Sequence, residues 1–272
     1  MNAIQNVVVI ALGVMVMSGG TFEATAKPPR DMWFELLTEK NENVGYYREV
    51  SHMKNWRDSS NKRHSYTLRH SYMMFWGKDA EGKVVWTSVL SKEIYRIDPR
   101  TEAMIPERGS YMRVVGDKKT KAAFVVNTAT RSVEASLKVG DEKEQKRRMP
   151  YVPGSRFQLF LWDGFGDVPL KKNQSKTVKV LRANDDIAKF GVAELTMRRT
   201  AFNIEIYGKN GGQQQQVEVY QDIFAADTPN RKRWTGLPMH AKYVKDIRFI
   251  PAQYRDHLKV NESLPGQPVV IR

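Results

Sequence analysis

Short runs rich in valine, isoleucine, threonine and aromatic residues recur along this chain, separated by polar clusters at intervals of about 10–15 residues. No long stretch repeats its apolar residues with the 3.6-residue period of a helix. β-Branched and aromatic residues favour strands, and the clusters between the runs contain the Gly, Asn, Asp and Ser of turns. The sequence therefore predicts a mainly β protein, built as a strongly curved antiparallel sheet or half-barrel with one short helical segment.

The strands are predicted in two halves. The first half, residues 27–149, is a meander in which short polar loops join three long strands. Its predicted strands are 32–38, 44–56, 63–76, 83–97, 110–115, 122–127 and 132–139.

A charged run at 141–148 and two prolines, Pro150 and Pro153, mark the boundary between the halves. The second half, residues 150–260, is predicted to open with a helical bridge over 155–162, with Ser155 as its N-cap. Residues 261–272 are predicted to form a loosely ordered tail. The strands predicted after the bridge are 176–181, 189–199, 201–207, 214–224 and 233–249.

The N-terminal segment predicts export. Residues 7–17 are an apolar run, and Ala24-Thr25-Ala26 has the small-residue pattern that signal peptidase cleaves. The run is too short to cross a bilayer comfortably, because a spanning helix needs roughly 20 apolar residues. Residues 1–26 are therefore predicted to be a signal peptide, and the mature protein to be periplasmic or envelope-associated and soluble after cleavage.

Charge and cysteine content narrow the choice of partners. The chain has no cysteine, which excludes disulfides, a thiolate nucleophile and lipobox acylation. Its net charge of +14 becomes +15 when Glu23 leaves with the signal peptide. Such a surplus favours an anionic membrane surface or envelope polymer. Nucleic acid is not expected, because export separates the protein from it and no recognised binding module is present.

An aromatic and methionine-rich stripe is predicted on the long hairpins. Alternation places one face of 63–76 beside residues of both neighbouring strands, provided that the two loops centre their hairpins. Such a face can line a cavity for an apolar ligand, since Met adapts to varied shapes, or can be closed core. The candidate ligand-binding residues are Tyr47, Met53, Tyr66, His70, Tyr72, Met74, Trp76 and Trp86. Ser51, His64, Leu68, Val84, Ser88 and Leu90 are predicted on the same face.

Four basic clusters lie in predicted loops, where they are either solvated or part of an anion-attracting rim. The candidate contacts to an anionic surface are Lys143, Lys146, Arg147, Arg148, Arg231, Lys232 and Arg233. The other two clusters are 118–121 and 171–172.

The chain contains few signs of catalysis. No Gly-x-Ser-x-Gly or Ser-x-x-Lys pattern occurs, and no His-x-His or His-Glu-x-x-His pattern suggests a metal site. The paired carboxylates Asp163 with Asp167, and Asp185 with Asp186, lie in loops where Asp favours turns. No enzyme activity, no metal and no cofactor are therefore predicted, and a hydrolase using Asp163 and Asp167 is the poorest hypothesis.

Four short aromatic segments suggest a family resemblance. Trp33-Phe34-Glu35-Leu36-Leu37, a polar turn and Val44-Gly45-Tyr46-Tyr47 open the chain, while 220–224 and 234–238 precede its last strand. This pattern resembles a group of uncharacterised exported bacterial β proteins, similar in architecture to the LolA/LolB-type periplasmic lipoprotein carriers. The resemblance implies a half-barrel of antiparallel strands closed by a helical lid, with a cavity. It supplies no lipobox cysteine and no lipoprotein-binding residue.

Together these features predict an exported envelope protein that binds or carries a lipid-like, apolar or amphipathic ligand on a concave aromatic β face. The alternative is a non-catalytic envelope interaction or scaffolding protein in which the same face is closed core. The ligand, the envelope partner and the oligomeric state stay open at this level.

Overall fold

The computed structural model describes residues 30–57, 61, 63–78, 81–159, 170–210, 213–224, 228–234 and 237–257. The predicted signal peptide and tail lie outside these residues, as do Asp163 and Asp167. In the described part of the chain, no helix is long and apolar enough to span a membrane.

The described residues form fifteen strands in one sheet. The first half of the chain supplies β1 Arg30–Thr38, β2 Asn43–Arg57, β3 Arg63–Lys78, β4 Val84–Ile97, β5 Met104–Val115, β6 Lys118–Asn127, β7 Ser132–Val139 and β8 Gln145–Pro150. The second half supplies β9 Arg156–Gln158, β10 Ser175–Arg182, β11 Gly191–Arg199, β12 Ile204–Asn210, β13 Gln213–Phe224, β14 Thr228–Trp234 and β15 Met239–Val244.

The strand order is that of two meanders joined edge to edge. It runs β8-β7-β6-β5-β4-β3-β2-β1-β15-β14-β13-β12-β11-β10-β9, so that β1 pairs with both β2 and β15. Every pair is antiparallel except β9 with β10, which are parallel. The predicted fold class is confirmed: the protein is mainly β, with a large curled antiparallel sheet, and its described residues include one short α-helix.

The described part of the predicted helical bridge is not helical, and residues 160–162 of the bridge lie outside the described residues. Residues 156–158 of the predicted bridge form β9, and the helix α1 is Ala252–His257. Strand formation at 156–158 has a packing reason, because alternation turns Phe157 into the core, where it is fully buried. Two short 3₁₀ turns, Ile187–Lys189 and Ile247–Phe249, are the other helical pieces among the described residues.

The sheet curls strongly toward one face. The rings of Tyr47 on β2 and Trp234 on β14 lie 5.8 Å apart, although β1 and β15 stand between their strands. Three strand spacings of ~4.8 Å would separate them by ~14 Å in a flat sheet. We call the face that carries these two residues the concave face, because only bending toward it brings their side chains together.

Apolar side chains fill most of the concave face. One cluster, on β1–β4, β14 and β15, includes Phe34, Tyr47 and Met73, and a second, on β10–β13, includes Met197 and Ile206. A third cluster joins Tyr95, Phe124 and Leu137 to residues from the other end of the sheet, such as Phe157 and Phe190. Burial along this face is therefore the main source of stability in a chain without disulfides.

The two ends of the sheet meet along a line that we call the seam, where β4–β8 contact β9 and residues 183–190. The Phe157 backbone N–H donates to the Tyr95 hydroxyl at 3.0 Å, and the Arg147 guanidinium donates to the carbonyls of Ala188 and Phe190. Gly109 permits the close approach, because a Cβ there would lie 2.9 Å from the Phe157 ring. The seam thus closes the curl through side chains rather than through a strand ladder.

Candidate functional site

A buried ion pair lies on the concave face. Lys232 on β14 is fully buried and pairs with Glu49 on β2, which also accepts a hydrogen bond from the Tyr47 hydroxyl. The Lys232 ammonium lies 4.8–5.2 Å from the ring centroids of Phe34, Tyr47 and Tyr220. Cation–π contacts of this kind stabilise a cation that has lost its water.

A second charged cluster lies next to the seam. The Arg69 guanidinium is 3.9 Å from the Glu93 carboxylate, and the Tyr95 hydroxyl donates to the same carboxylate at 2.8 Å. Burial, followed by the negative charge of Glu93, raises the pKa of the Tyr95 phenol well above its ordinary value. Tyr95 therefore stays protonated and serves as a donor to Glu93 and an acceptor from the Phe157 backbone.

The charged side chains on the concave face pair with one another inside the protein. Lys232 and Arg69 are each neutralised by a buried carboxylate, and Glu218 accepts from the Trp234 indole at 2.7 Å. Unpaired buried charge is costly, whereas paired and hydrogen-bonded charge is tolerated. The concave face is thus a packed interior with internal ion pairs.

The predicted aromatic stripe lies on the opposite, convex face, which corrects the prediction of a concave stripe. The predicted residues of β3 and β4 do share one face, on which Trp76 stands opposite Trp86 and Tyr72 opposite Leu90. Six of the predicted ligand-binding residues share this surface, which we call the aromatic face. They are Tyr66, His70, Tyr72, Met74, Trp76 and Trp86.

Tyr47 and Met53 are not part of the aromatic face, and their prediction as members, with Ser51, was wrong. Tyr47 pairs with Met73 and Met53 with Thr67, so both side chains lie on the concave side. The register between β2 and β3 differs by one residue from the predicted one, and a slip of one reverses the face of every side chain in a strand. Tyr46, whose partner is Met74, takes the predicted place of Tyr47.

Helix α1 covers one part of the aromatic face. The Tyr254 ring centroid is 4.5 Å from that of Tyr46 and 5.9 Å from that of Trp86, and Ile250 packs with Trp33. The Trp86 ring is in turn 5.0 Å from Trp76, edge to face. The result is a continuous row of rings that runs from under α1 to open solvent.

The outer end of this row is exposed. Trp76 retains 54% of its accessible surface and Val84 retains 60%, whereas Tyr66 and His70 at the other end are buried. Lys78, on the same face and paired with Val84, is exposed beside them. An apolar surface flanked by a cation is therefore present at the end of the β3–β4 hairpin, where it can contact a ligand.

The predicted anion-contact residues within 143–148 differ in the contacts that their side chains make. Lys143 and Lys146 are exposed, and the Lys146 ammonium is 3.8 Å from the Glu144 carboxylate. Arg148 donates to the Ser132 hydroxyl at 3.3 Å, while Arg147 donates across the seam. Arg147 thus links the two ends of the sheet, although it is exposed.

Lys232 cannot contact an anionic surface, and this prediction was wrong, because the side chain is fully buried beside Glu49. Alternation sends Arg231 and Arg233 to the other face, where both are partly buried and flank His240. Burial first, and then the positive charges of Arg233 and Arg231, lower the pKa of the His240 imidazole. These two arginines belong to a strand rather than to a basic loop.

The carboxylate pair 185–186 has structural partners. Asp185 pairs with Arg113 across the seam, and Asp186 accepts from the Ala188 backbone N–H at 2.9 Å to cap the 3₁₀ turn. Among the described side chains, no group of three His, Asp or Glu is arranged to hold a metal ion. The hydrolase carboxylates Asp163 and Asp167 lie outside the described residues.

Sequence reasoning missed Trp33 and Tyr254 as members of the aromatic surface. Trp33 lies on β1, where the Arg48 guanidinium is 4.9 Å from its ring, and Tyr254 comes from beyond the last strand. A weak signal was present: Asp246 and Pro251 punctuate the chain after β15, and aromatic or apolar residues follow both. That signal predicts a turn and a short helix, but not where the helix packs.

No family model and no curated protein matches the chain. Among solved structures, the chain is similar to a β-barrel-like protein of the domain of unknown function DUF1849 from Brucella abortus. The alignment has 10% identity and a TM-score of 0.47, and covers 80% of this chain and 96% of that one. The functional conclusion therefore depends on the geometry of this chain alone.

Proposed function

We propose that this is an exported envelope protein that binds an amphipathic, lipid-like ligand on its aromatic face, at the end of the β3–β4 hairpin. The observation that carries the proposal is the exposed end of the ring row, where Trp76 and Val84 keep more than half of their surface accessible. Exposed apolar patches with a polar rim are typical of interaction sites. Here Trp76 and Trp86 supply the apolar contact, and Lys78 supplies a cation for an acidic headgroup.

The covered end of the row supports the same function. Tyr254 rests on Tyr46 and Trp86, and α1 is only six residues long. So short a helix has little stability of its own and depends on the packing of its few apolar side chains. An acyl chain lying along the ring row would replace the contacts that Tyr254 makes with Tyr46 and Trp86. The strands would keep their positions.

A tryptophan substitution tests the site. Trp76→Ala is expected to weaken uptake of a fluorescent fatty-acid analogue about tenfold or more, because exposed aromatic residues supply much of the contact energy at such sites. The free energy of unfolding should change by no more than about 1 kcal/mol, since half of the ring is already in water. Fluorescence titration and urea denaturation of the same samples measure both quantities.

The matched control is Phe202→Ala, which removes an aromatic ring that is 69% exposed in the turn between β11 and β12. This variant should take up the analogue as the parent protein does. A second arm uses Lys78→Glu, which should weaken binding of the fatty acid more than binding of its uncharged methyl ester. Equal uptake by Trp76→Ala and the parent protein would exclude the aromatic face as the site.

Export is the second part of the proposal, and it predicts a mature protein that begins at Lys27. The apolar run 7–17 and the Ala24-x-Ala26 pattern support cleavage there. N-terminal sequencing of protein recovered from the periplasm of an exporting bacterial host measures the cleavage point. Recovery of cytosolic protein that retains Met1 would contradict the envelope location.

A scaffolding role in the envelope is the second candidate, and the packed concave face favours it. Among the described residues, Lys232 and Arg69 pair with carboxylates on that face, and apolar clusters pack around them, whereas a carrier of large cargo requires an open lumen. In this case the exposed ring row would contact another envelope protein. The two candidates differ in the fatty-acid titration, because a scaffold takes up no analogue.

A further inference from the structure

A polar cleft of about 190 Å³ lies at the seam, away from the aromatic face. Its walls come from both ends of the sheet, so the cleft exists only because the sheet curls shut. Tyr111 and Arg113 on β5 form one wall, and Gln158, Arg182, Asn184 and Asp185 form the other.

One part of the lining is internally satisfied. The Arg113 guanidinium donates to both carboxylate oxygens of Asp185 at 2.9 Å. Burial, and then the charge of Asp185, raise the pKa of Tyr111 to about 12, so its phenol keeps its proton. The Arg113–Asp185 ion pair joins the two walls of the cleft and neutralises the Asp185 carboxylate, which therefore does not attract a cation.

The rest of the lining offers unused hydrogen-bonding groups. Arg182 is exposed and has no carboxylate partner among the described residues, while the buried Gln158 Oε1 accepts no hydrogen bond from them. The Asn184 side-chain oxygen Oδ1 accepts from the Asp186 backbone N–H, which leaves the side-chain amide N–H groups of Asn184 as donors. The cleft therefore presents one cation, one buried acceptor and one amide donor.

We propose that this cleft binds a uronic acid, a sugar ring that carries a carboxylate. The carboxylate pairs with the planar guanidinium of Arg182, which suits bidentate recognition. Ring hydroxyls both donate and accept, so they match Gln158 Oε1 and the Asn184 amide together. The volume is below the ~300 Å³ of drug-sized pockets, which limits the ligand to about one ring.

An amino acid fits the cleft less well, although it also combines a carboxylate with hydrogen-bond donors. Its ammonium group would need an anionic partner, and Asp185 is already paired with Arg113. A ligand held by Gln158, Arg182 and Asn184 binds only the folded chain, because folding brings these three residues together. Binding should therefore raise the melting temperature by linkage.

The test is calorimetric titration of the mature chain with D-glucuronate, with D-glucose, acetate and L-alanine as comparison ligands. Glucuronate is expected to bind more tightly than all three and to raise the melting temperature. Arg182→Ala should weaken glucuronate binding about tenfold or more, because a charge-assisted hydrogen bond is lost. Gln158→Leu should weaken glucuronate while leaving the weak binding of acetate unchanged.

The matched control is Arg198→Ala, which removes another exposed arginine from the neighbouring strand β11 and should leave glucuronate binding unchanged. Three results would overturn the proposal: no heat of binding at millimolar glucuronate, equal binding of alanine and glucuronate, or equal affinity in Arg182→Ala and the parent protein. Because the cleft shares no residue with the ring row, the outcome is independent of the fatty-acid experiment.

Discussion

Replacing Lys232 with methionine is expected to lower the free energy of unfolding by about 3–5 kcal/mol, because it leaves the buried Glu49 carboxylate without its cation. Methionine keeps nearly the length of the side chain, so that packing among Phe34, Tyr47 and Tyr220 is largely retained. For a chain of this size the loss corresponds to a fall in melting temperature of roughly 6–20 °C. Urea denaturation at neutral pH measures it.

Lys242→Met is the matched control, since Lys242 stands on the neighbouring strand and pairs with Glu35 at 3.1 Å on the other, more exposed face. Exposed pairs contribute about 0–1 kcal/mol, so the control should lose little stability. The double variant Lys232→Met with Glu49→Leu should recover part of the loss, because no unpaired charge remains. Similar losses in Lys232→Met and Lys242→Met would show that Lys232 is not buried.

Truncating Phe157 to alanine is the second change with a large expected effect. The ring is fully buried against Tyr95 and Phe124, with centroid distances of 5.5 and 6.1 Å. Losing this burial and leaving a cavity should cost about 3–5 kcal/mol. Because β9 is only three residues long, the seam depends heavily on this one ring. Chemical denaturation followed by tryptophan fluorescence measures the effect.

Phe202→Ala serves again as the control, because its ring is mostly in water and its loss should cost no more than about 0.5 kcal/mol. Phe157→Leu should lose less than Phe157→Ala, since leucine refills part of the cavity. If Phe157→Ala unfolds at the same denaturant concentration as the parent protein, the two ends of the sheet do not meet as described.

Local chemistry accounts for what the sequence predicts well. In the long hairpin β3–β4 the predicted residues share one face, because the polar loop between Lys78 and Val84 lies at the centre of the hairpin. On the other side of β3, the register to β2 slips by one residue, which moves Tyr47 and Met53 to the concave face. Loop composition predicts that a hairpin forms but does not fix its register to a single residue.

Charged residues obscure two other features of the fold in the sequence. Strand β8, Gln145–Pro150, overlaps the charged run that marks a boundary in the sequence, and of its first five side chains four are exposed and only Met149 is buried. Alternation alone shows that 231–233 cannot present three side chains on one face of a strand. That Lys232 is the inward one depends on Glu49, which lies 183 positions away in the chain.

Long-range curvature accounts for the rest. The seam, the cleft between β5 and residues 182–185, and the place of α1 on the ring row all depend on how far a fifteen-stranded sheet bends. Twist and coiling accumulate over many strand pairs, so no local pattern determines them. For the same reason the sequence predicts a curved aromatic sheet but assigns the aromatic stripe of β3 and β4 to the concave rather than the convex side.

The central claim is that the aromatic face holds an amphipathic ligand, and native mass spectrometry of protein extracted from the envelope of an exporting host tests it most directly. We expect the parent protein to carry one lipid-like molecule per chain, released on collisional activation, and Trp76→Ala to appear mainly without it. Parent protein that carries no such adduct, even after incubation with fatty acid, would contradict the claim.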